Sequence, residues 1–305
     1  MAQTQCGKID VWCQTIRAFS FTASLTPVFI GAAIGFSDRK HISWALFPLI
    51  AICSVLLHAA TNVLSEYFDF KKGVDRRDTF GSSRVLVDGL ITPKEVLVGG
   101  YLLGLAGFLL GLMLVAVRGW PLLALGVIGL LGGIFYSASP IGYKYLGLGD
   151  IMVFLLMGPL MVGGSYFALT GTIDQRVLYV SLPVGFLVTA ILNANNMRDI
   201  QHDRQARVKT LENILGYHFA KGEYLFLLCA AYASVVIMMA TKILAWPSAL
   251  VFLSLPMALK NMRQALANRP DNPGQIALLD QATARLHFLF GLLLFISLII
   301  TKTSQ

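Results

Sequence analysis

Residues 193–204 read Asn-Ala-Asn-Asn-Met-Arg-Asp-Ile-Gln-His-Asp-Arg and follow directly on a long apolar run, Val177–Leu192. On a helix, Asn195, Asp199 and Asp203 lie along one face, because they recur at every fourth position with about 6 Å of rise per step. Two carboxylates and an amide on one face provide oxygen ligands for a hard cation such as Mg²⁺. An ordinary polar helix end, solvated and paired with nearby Arg, is the alternative for this stretch alone.

The composition identifies the chain as a helical membrane protein. Of its 305 residues 56% are hydrophobic and 13% are charged, against about 25% charged residues in ordinary soluble domains. The four cysteines form no CxxC pair and no zinc spacing, so neither a disulfide framework nor a zinc site is predicted. Residues 1–305 are expected to form a single integral membrane domain.

Nine apolar runs are long enough to cross a bilayer. They lie at about 18–37, 42–65, 95–117, 119–138, 150–170, 177–197, 222–241, 243–260 and 285–302. The run at 243–260 contains Pro247 and Pro256, and the first run is read as a span rather than a removable signal peptide. With the amino terminus inside, the cytoplasmic segments hold three times as many Lys and Arg as the opposite side. This predicts a multi-pass protein of the inner (cytoplasmic) membrane with its chemistry toward the cytoplasm.

The third and fourth runs are rich in glycine. Gly100, Gly104, Gly107 and Gly111 recur at three- and four-residue spacing in the third run. Small residues at this spacing let helix backbones approach closely. We expect tight helix packing here and no catalytic role.

A second acidic stretch ends the second apolar run. Asn62, Glu66 and Asp69 fall on one helical face, and Gly73 is expected to end the helix, which places Asp75 and Asp78 on a loop. The two acidic stretches end runs that are four spans apart. We therefore expect two four-helix halves, about 18–138 and 150–260, with an extra helix at about 285–302.

Two facing groups of carboxylates would repel each other unless cations lay between them. The ligand that fits is a diphosphate bridged by Mg²⁺, since Mg²⁺ is bound by a few carboxylates together with substrate phosphate oxygens. Basic residues that suit the same anion, or that merely set the topology beside lipid headgroups, are Arg84, Lys144, Arg198, Arg204 and Lys209. This points to departure of diphosphate from an allylic lipid inside an apolar bundle. Aromatic rings that would either face the resulting carbocation or simply pack are Tyr67, Phe68, Tyr136 and Tyr143.

At these residues the chain resembles the UbiA superfamily of intramembrane aromatic prenyltransferases, over nearly its whole length. The stretch Asn195-Asn-Met-Arg-Asp199 with Asp203 matches the family's second motif fully. Within the superfamily it is most similar to the menaquinone branch, the 1,4-dihydroxy-2-naphthoate prenyltransferases. The segments that carry this similarity are Tyr67-Phe-Asp-Phe-Lys-Lys-Gly-Val-Asp75 and Ile141-Gly-Tyr-Lys-Tyr-Leu-Gly-Leu-Gly-Asp150.

The first motif departs from the family pattern. Asp69 and Asp75 match its two acids, but Ser65 stands where the family has Asn, and Glu66 where many members have Asp. A hydroxyl is a shorter and weaker ligand than an amide, and Asn62, one turn back, could supply a carbonyl oxygen. Downstream, Arg207-Val-Lys209-Thr210-Leu211 resembles the family's Lys/Arg-Thr-Leu stretch, although Glu212-Asn213 after it is atypical.

The resemblance implies transfer of a polyprenyl group from its diphosphate to 1,4-dihydroxy-2-naphthoate, with loss of CO₂ and diphosphate, in menaquinone biosynthesis. Two Mg²⁺ ions would be the cofactors. Catalysis and metal binding would fall to Asp69, Asp75, Asp199 and Asp203, with Glu66 as a further metal ligand. Diphosphate binding would fall to Asn62, Ser65, Arg84, Lys144, Asn195, Asn196, Arg198, Arg204 and Lys209. Polyprenyl diphosphate, the acceptor and membrane lipids are the expected partners, with neither nucleic acid nor an obligatory protein partner.

Three other functions remain open from the residues. A prenyltransferase of the same superfamily with another acceptor, 4-hydroxybenzoate or a different aromatic, would use the same motifs. An ion-coupled transporter is disfavoured because the acids lie at one membrane side, whereas transporter sites usually lie at the midplane. A CDP-alcohol phosphotransferase is disfavoured because that family's Asp-Gly and Ala-Arg elements do not precede the Asp pair.

Overall fold

The computed structural model describes residues 7–38, 40–75, 83–138, 140–206, 208–270 and 272–303. Of the described residues 82% are helical, and none belongs to a β-strand. The α-helices are α1 (Lys8–Thr15), α2 (Thr22–Ser37), α3 (Phe47–Lys71), α4 (Pro93–Arg118), α5 (Trp120–Ser137), α6 (Gly149–Leu155), α7 (Met161–Thr170), α8 (Gln175–Gln205), α9 (Leu211–Leu215), α10 (Tyr217–Ala240), α11 (Leu255–Ala267) and α12 (Leu279–Thr303). The all-helical fold class is confirmed.

Eight helical segments among the described residues are long and apolar enough to cross a membrane. They are Ala18–Ser37, Trp44–Lys71, Pro93–Arg118, Trp120–Ser137, Gly149–Thr170, Gln175–Gln205, Tyr217–Ala240 and Pro273–Thr301. Each corresponds to a predicted apolar run. The chain therefore has the helices of a multi-pass membrane protein.

The predicted run at 243–260 is not among these eight segments, so the expected count of nine spans is not confirmed. Here a 3₁₀ helix over Trp246–Ser254 is followed by α11, which ends in a more polar stretch at Ala267. Pro247 and Pro256 each stand in the first turn of one of these two pieces. Because proline lacks an amide hydrogen, it starts a helix readily and interrupts one that is already running.

Local signals fix where several spans begin and end. Thr92 caps α4 with a reciprocal capping box to Glu95, and Pro93 follows at the first helical position. Gly119, at φ +76°, makes the tight turn between α4 and α5. The side chain of Asp174 accepts a hydrogen bond from the Arg176 amide at the start of α8. These caps satisfy backbone amides at the charged starts of α4 and α8.

The core lies between α2, α8, α10 and α12, where Ile30, Val184, Tyr224 and Phe290 are all buried. A second apolar cluster joins α2, α3, α4, α5 and α7. By contrast α4 exposes a row of large apolar side chains, among them Leu102, Leu105, Leu109, Met113 and Val117. Apolar side chains exposed in such number are what a lipid-facing surface requires.

The glycines of α4 pack against α3 as expected. A Cβ atom at Gly100 would lie 2.8 Å from a methyl carbon of Leu64, and one at Gly107 would lie 2.8 Å from a methyl carbon of Leu57. Another close approach joins a π-helical segment (Leu156–Leu160) to α8, where a Cβ at Gly158 would lie 2.8 Å from the Cα of Gly185. Small residues thus set the spacing of these helices.

Candidate active site

The acidic end of α3 is the first part of the site. Glu66 is fully buried, and its Oε2 accepts a hydrogen bond from Arg17 Nη2 at 3.2 Å. Arg17 lies between α1 and a 3₁₀ turn (Ala18–Phe21) and holds a left-handed backbone conformation, φ +54°. L-residues other than glycine rarely adopt this conformation, because it brings Cβ close to the backbone. The backbone geometry here turns the guanidinium toward the acids.

Asp69 lies one turn further along α3 and is also buried. Its Oδ2 accepts a hydrogen bond from Lys144 Nζ at 2.6 Å, and its Oδ1 accepts one from the Tyr145 hydroxyl at 2.7 Å. Both partners belong to the short 3₁₀ turn Tyr143–Tyr145, which connects α5 to α6. The Lys72 ammonium lies 3.6 Å from the centre of the Tyr145 ring. The loop between the two predicted halves therefore reaches the first acidic motif.

Asp75 follows the end of α3. Gly73, at φ +70°, turns the chain, and the Val74 amide donates back to the Asp69 carbonyl at 2.9 Å. This is the predicted glycine stop, and it brings Asp75 close enough to Asp69 and Glu66 for strong electrostatic interaction. Asp78 lies outside the described residues.

The charges at this end shift the pKa of several groups outside the apolar layer. Burial alone would lower the pKa of Arg17 and of Lys144, but the neighbouring carboxylates, Glu66 for Arg17 and Asp69 for Lys144, raise both above their ordinary values. Burial raises the pKa of Asp75, and the negative charges of Asp69 and Glu66 raise it further. The anionic form of Asp75 is thus disfavoured without an additional cation.

The acidic end of α8 is organised by Arg198. This buried guanidinium donates to both oxygens of Asp199, at 3.0 and 2.9 Å, and to Oδ2 of Asp280 at 3.2 Å. It also donates to Oδ1 of Asn195 and, at 3.1 Å, to the Ala277 carbonyl. The predicted phosphate partner therefore holds the second motif in place, and Asp280 anchors it to the start of α12.

The two acidic ends meet. Asn195, Asp199 and Asp203 all lie on α8, which continues to Gln205, as the four-residue spacing predicted. Asp203 is buried, and Asp199, Lys144, Asp69 and Asp75 are all near enough to act on it electrostatically. The structure thus brings the acids of both motifs into one region, with Lys144 between them.

A cavity of about 770 Å³ opens beside this region and runs into the bundle. Its polar end is formed by Arg17, Asn62, Lys144, Asn195 and Arg198, and its walls deeper in the bundle include Val28, Leu57, Leu114 and Leu122. Such a cavity has the size of a ligand pocket, charged at one end and apolar along the rest. That polarity suits an amphiphile with an anionic head and an isoprenoid tail.

A family model described as the UbiA prenyltransferase family matches residues 24–300. The chain belongs to the UbiA prenyltransferase family. It is therefore a membrane prenyltransferase, an enzyme that acts on prenyl substrates. The resemblance drawn from the two motifs is confirmed.

Similar proteins agree with this family assignment. The chain is 33% identical over 291 residues to the UbiA prenyltransferase domain-containing protein 1 homolog of Drosophila melanogaster, covering 94% of this chain and 78% of the relative. It is 29% identical over 261 residues to the 1,4-dihydroxy-2-naphthoate octaprenyltransferase of Haemophilus influenzae, covering 83% and 85%. The structure of a UbiA homolog from Archaeoglobus fulgidus bound to GPP and Mg²⁺ has the same fold, with a TM-score of 0.60, 16% identity, and coverage of 95% and 99%.

The remaining predicted residues of this UbiA protein fall into two groups. Asn62 and Ser65 line the cavity, but Asn62 donates to the Ile16 carbonyl at 2.9 Å and Ser65 is bonded to Ser137 at 2.7 Å. Tyr136 and Tyr143 also line it, with ring centroids 5.5 Å apart. Among the described residues, those predicted for the site that do not line the cavity and have no hydrogen bond to the motif acids are Tyr67, Phe68, Arg84, Asn196, Arg204 and Lys209.

The contacts of that second group explain their placement. Arg84 pairs with Asp88, Arg204 donates to Asn213, and Tyr67 packs on an apolar cluster around Val63. Asn196 turns toward α9, where its amide donates to both oxygens of Glu212. Arg207, from the Lys/Arg-Thr-Leu stretch, lies outside the described residues.

Sequence reasoning missed three residues that the structure places at the acids. In the sequence Arg17 is only one of several topology-setting charges, and Asp280 has no signal beyond being an acid near a span. Tyr145 is part of the quoted stretch Ile141–Asp150, but nothing in its spacing indicates a contact with Asp69. Because the adjacent Lys144 is a predicted site residue, its position could have indicated Tyr145 as a second residue near the acids.

The acids fit a divalent cation. In the described part of the chain, Glu66 Oε1 and Asp75 Oδ2 are buried oxygens without a hydrogen-bond partner. Buried carboxylate oxygens need a proton donor or a cation, and oxygen donors are the ligands that Mg²⁺ prefers. The residues at this position thus provide oxygen donors that suit Mg²⁺.

Proposed function

We propose that this UbiA prenyltransferase transfers a polyprenyl group from its diphosphate to 1,4-dihydroxy-2-naphthoate, releasing diphosphate and CO₂, as a step in menaquinone biosynthesis. The observation that carries the acceptor is the similarity, over 83% of this chain, to the octaprenyltransferase of Haemophilus influenzae. The segments Tyr67–Asp75 and Ile141–Asp150, which resemble that branch, support it.

In this reaction the C1–O bond of the prenyl diphosphate breaks, and the diphosphate leaves with both electrons. A ring carbon of the acceptor forms a bond to C1, and the electrons of its bond to the carboxylate restore aromaticity as CO₂ departs. No external oxidant or reductant is needed. The leaving group is what requires stabilisation by the protein.

Asp69, Asp75, Asp199 and Asp203, with Glu66, would hold Mg²⁺, and we infer two ions because carboxylates come from two helices. Bound Mg²⁺ would supply charge stabilisation to the leaving diphosphate. Arg17 holds Glu66 in place, and Arg198 fixes the orientation of Asp199 and Asn195. Lys144 is the cation between the two motifs, so it is the residue we expect to contact a diphosphate oxygen.

The rest of the cavity would protect the carbocation. Its apolar walls exclude water from C1, and the rings of Tyr136 and Tyr143 are placed to stabilise a positive charge near its polar end. We further infer that this end faces the cytoplasm, since most Lys and Arg flank the same ends of the spans. The halves 18–138 and 150–260 would each contribute one acidic motif.

A product-mass assay tests the acceptor. Purified protein is incubated with a polyprenyl diphosphate, Mg²⁺ and 1,4-dihydroxy-2-naphthoate, and in parallel with 4-hydroxybenzoate. We expect a product from the naphthoate only, with a mass that shows gain of the prenyl group and loss of the carboxyl group. Chelation by EDTA should abolish it and added Mg²⁺ should restore it.

Another aromatic acceptor is the second candidate. Ser65 departs from the family motif, and the 33% identical relatives carry names that specify no acceptor. A prenylated product that retains its carboxylate, or turnover of 4-hydroxybenzoate alone, would establish this alternative and refute the naphthoate assignment.

A further inference from the structure

A second group of carboxylates lies on a different face of α8 from the site described above. Asp150, Glu212 and Glu223 come from the starts of α6, α9 and α10, and one oxygen from each lies within 4.8 Å of the others. Asp150 and Glu212 are buried and Glu223 is half-buried. We refer to these three residues as the α8 rear cluster.

Amides of α8 face this cluster. Asn193 donates to Glu223 Oε2 at 2.9 Å, and Asn196, one turn further on, donates to Glu212 Oε1 and Oε2 at 3.2 and 3.1 Å. Asn195, by contrast, contacts Arg198 on the side of the first site. The two acidic sites are therefore separated by the thickness of one helix.

Oxygens at the rear cluster lack partners. Within the described chain, neither carboxylate oxygen of Asp150 has a hydrogen-bond partner when Glu212 is ionised, although the residue is 3% exposed. Asn193 is fully buried, its amide nitrogen already contacts Glu223, and its Oδ1 also has no partner. Buried oxygens without donors cost free energy unless a proton or a cation satisfies them.

The charge balance also calls for a cation. No Lys, Arg or His of the described residues forms an ion pair with Asp150, Glu212 or Glu223. Three carboxylates with oxygens within 4.8 Å of one another repel each other unless a proton or a cation lies between them. Buried acids are otherwise found paired with a base or bound to a metal.

We propose that the α8 rear cluster is a second binding site for a hard divalent cation, Mg²⁺ or Ca²⁺, distinct from the diphosphate site. Its ligands are the carboxylates of Asp150, Glu212 and Glu223, and rotation of the Asn193 amide, whose nitrogen contacts Glu223, would add the amide oxygen as a fourth. All donors are oxygen, which selects hard cations over zinc or copper. Glu212 belongs to the Glu212-Asn213 pair that is atypical of the family's stretch after Thr210-Leu211.

Its role follows from the elements that it joins. Asp150 begins α6 directly after the loop that carries Lys144 and Tyr145, and a backbone bridge between Leu146 and Lys209 ties that loop to the segment before α9. A cation here would fasten this loop, α9 and α10 to α8. It would thereby position Lys144 relative to Asp199 and Asp203 without contacting substrate.

Mn²⁺ binding to the full-length protein in detergent, without diphosphate, tests the proposal. Bound Mn²⁺ per chain is counted by electron paramagnetic resonance for wild type, for a Glu212→Gln/Glu223→Gln variant and for Asp199→Asn. We expect the double variant to lose one ion per chain and Asp199→Asn to retain that ion. Equal Mn²⁺ counts in wild type and the double variant would overturn the proposal.

Thermal stability gives a second test, because a bound cation and a shared proton predict different shifts of Tm on addition of Mn²⁺. If a cation fills the cluster, Mn²⁺ at 100 times the dissociation constant of this site should raise the Tm of wild type by about 4 °C more than it raises the Tm of the double variant, which keeps the first acidic site. If the carboxyls merely share protons, Mn²⁺ shifts the Tm of both proteins equally, and the proposal fails. Repeating the measurement with Mg²⁺ and with Ca²⁺ shows which of these two hard cations binds more tightly.

A third variant covers the case in which the double variant does not fold. Asn193→Asp adds a carboxylate to the cluster. It should tighten Mn²⁺ binding if a cation is held there, and it should lower Tm at every Mn²⁺ concentration if the cluster is empty. Asp88→Asn, an exposed carboxylate paired with Arg84, is the matched control and should bind Mn²⁺ as wild type does.

Discussion

At the end of α3, Glu66 and Asp69 are paired with cations 49 and 75 residues away in the chain, whereas at the end of α8 Asp199 is paired with its immediate neighbour Arg198. The first motif departs from the family pattern and is held from outside by Arg17, Lys144 and Tyr145. The second motif matches the pattern, and its Asp199 is paired with Arg198 of the motif itself. The comparison teaches that a motif with a local counter-ion can be recognised from spacing, while one with distant counter-ions can be understood only when folded.

The most direct way to test this comparison is to neutralise one acid at each end. Asp69→Asn and Asp199→Asn should each lower kcat/KM by about 100-fold or more, because each removes a carboxylate that would hold the Mg²⁺ on which stabilisation of the leaving diphosphate depends. Prenyl product formation at saturating Mg²⁺ measures both. Asp88→Asn is the control and should match wild type; full activity in either site variant would remove that helix end from the mechanism.

Removing the distant partner should expose the dependence of α3 on the rest of the chain. Arg17→Met leaves Glu66 buried without its counter-ion, which costs about 3–5 kcal/mol in comparable buried pairs. Denaturant unfolding in detergent should show the loss, and adding Glu66→Gln to the same chain should recover part of it. Unchanged stability in Arg17→Met would mean that water or another group solvates Glu66.

Ser65 and Asn195 occupy matching positions before Asp69 and Asp199, so their alanine variants compare the two motifs directly. Asn195→Ala should lower turnover about tenfold, as removal of a residue that supports metal ligands does. Ser65→Ala should lower the free energy of unfolding by about 1 kcal/mol through its lost bond to Ser137, and it should lower turnover several-fold at most. Activity measured across a Mg²⁺ titration separates the two. The reverse order of effects would make Ser65 the metal-site residue.

The smallest effects are expected where sequence-predicted phosphate partners lie away from the acids. Arg84→Ala and Arg204→Ala remove surface contacts with Asp88 and Asn213, and each should leave kcat/KM within about twofold of wild type. Lys144→Ala, assayed beside them, provides the positive comparison. A large loss in Arg84→Ala would indicate that its loop moves onto the site during turnover.

Much of the fold is predictable because membrane spans are long apolar runs with recognisable ends. The run predicted at 18–37 coincides with the span Ala18–Ser37, and the spacing of Asn195, Asp199 and Asp203 correctly predicts one continuous helix. The segment around Pro247 and Pro256 is not confirmed as a span, because its helical part runs on from the apolar residues into the polar side chains of α11, Lys260, Asn261, Arg263 and Gln264.

The candidate site was less predictable, for a physical reason. Spacing reports which side chains share a helix face, but it does not report which distant segment packs on that face. Arg17 and Asp280 contact the motif residues through tertiary packing of the segment after α1 and of α12. Asn196 lies on another side of α8, where its amide donates to Glu212. The adjacent Asn195 and Asn196, alike in sequence, thus serve different sites.

The left-handed backbone of Arg17 has a consequence for which residues this position can tolerate over evolutionary time. Glycine or asparagine would relieve about 1–2 kcal/mol of backbone strain there. Either replacement would also remove the only base paired with Glu66 among the described residues, a loss of about 3–5 kcal/mol. Because the lost ion pair costs more free energy than the relieved strain returns, replacement of Arg17 by glycine or asparagine is disfavoured, although the local backbone conformation favours both residues. Either replacement becomes favourable only after Glu66 has been replaced by a neutral residue.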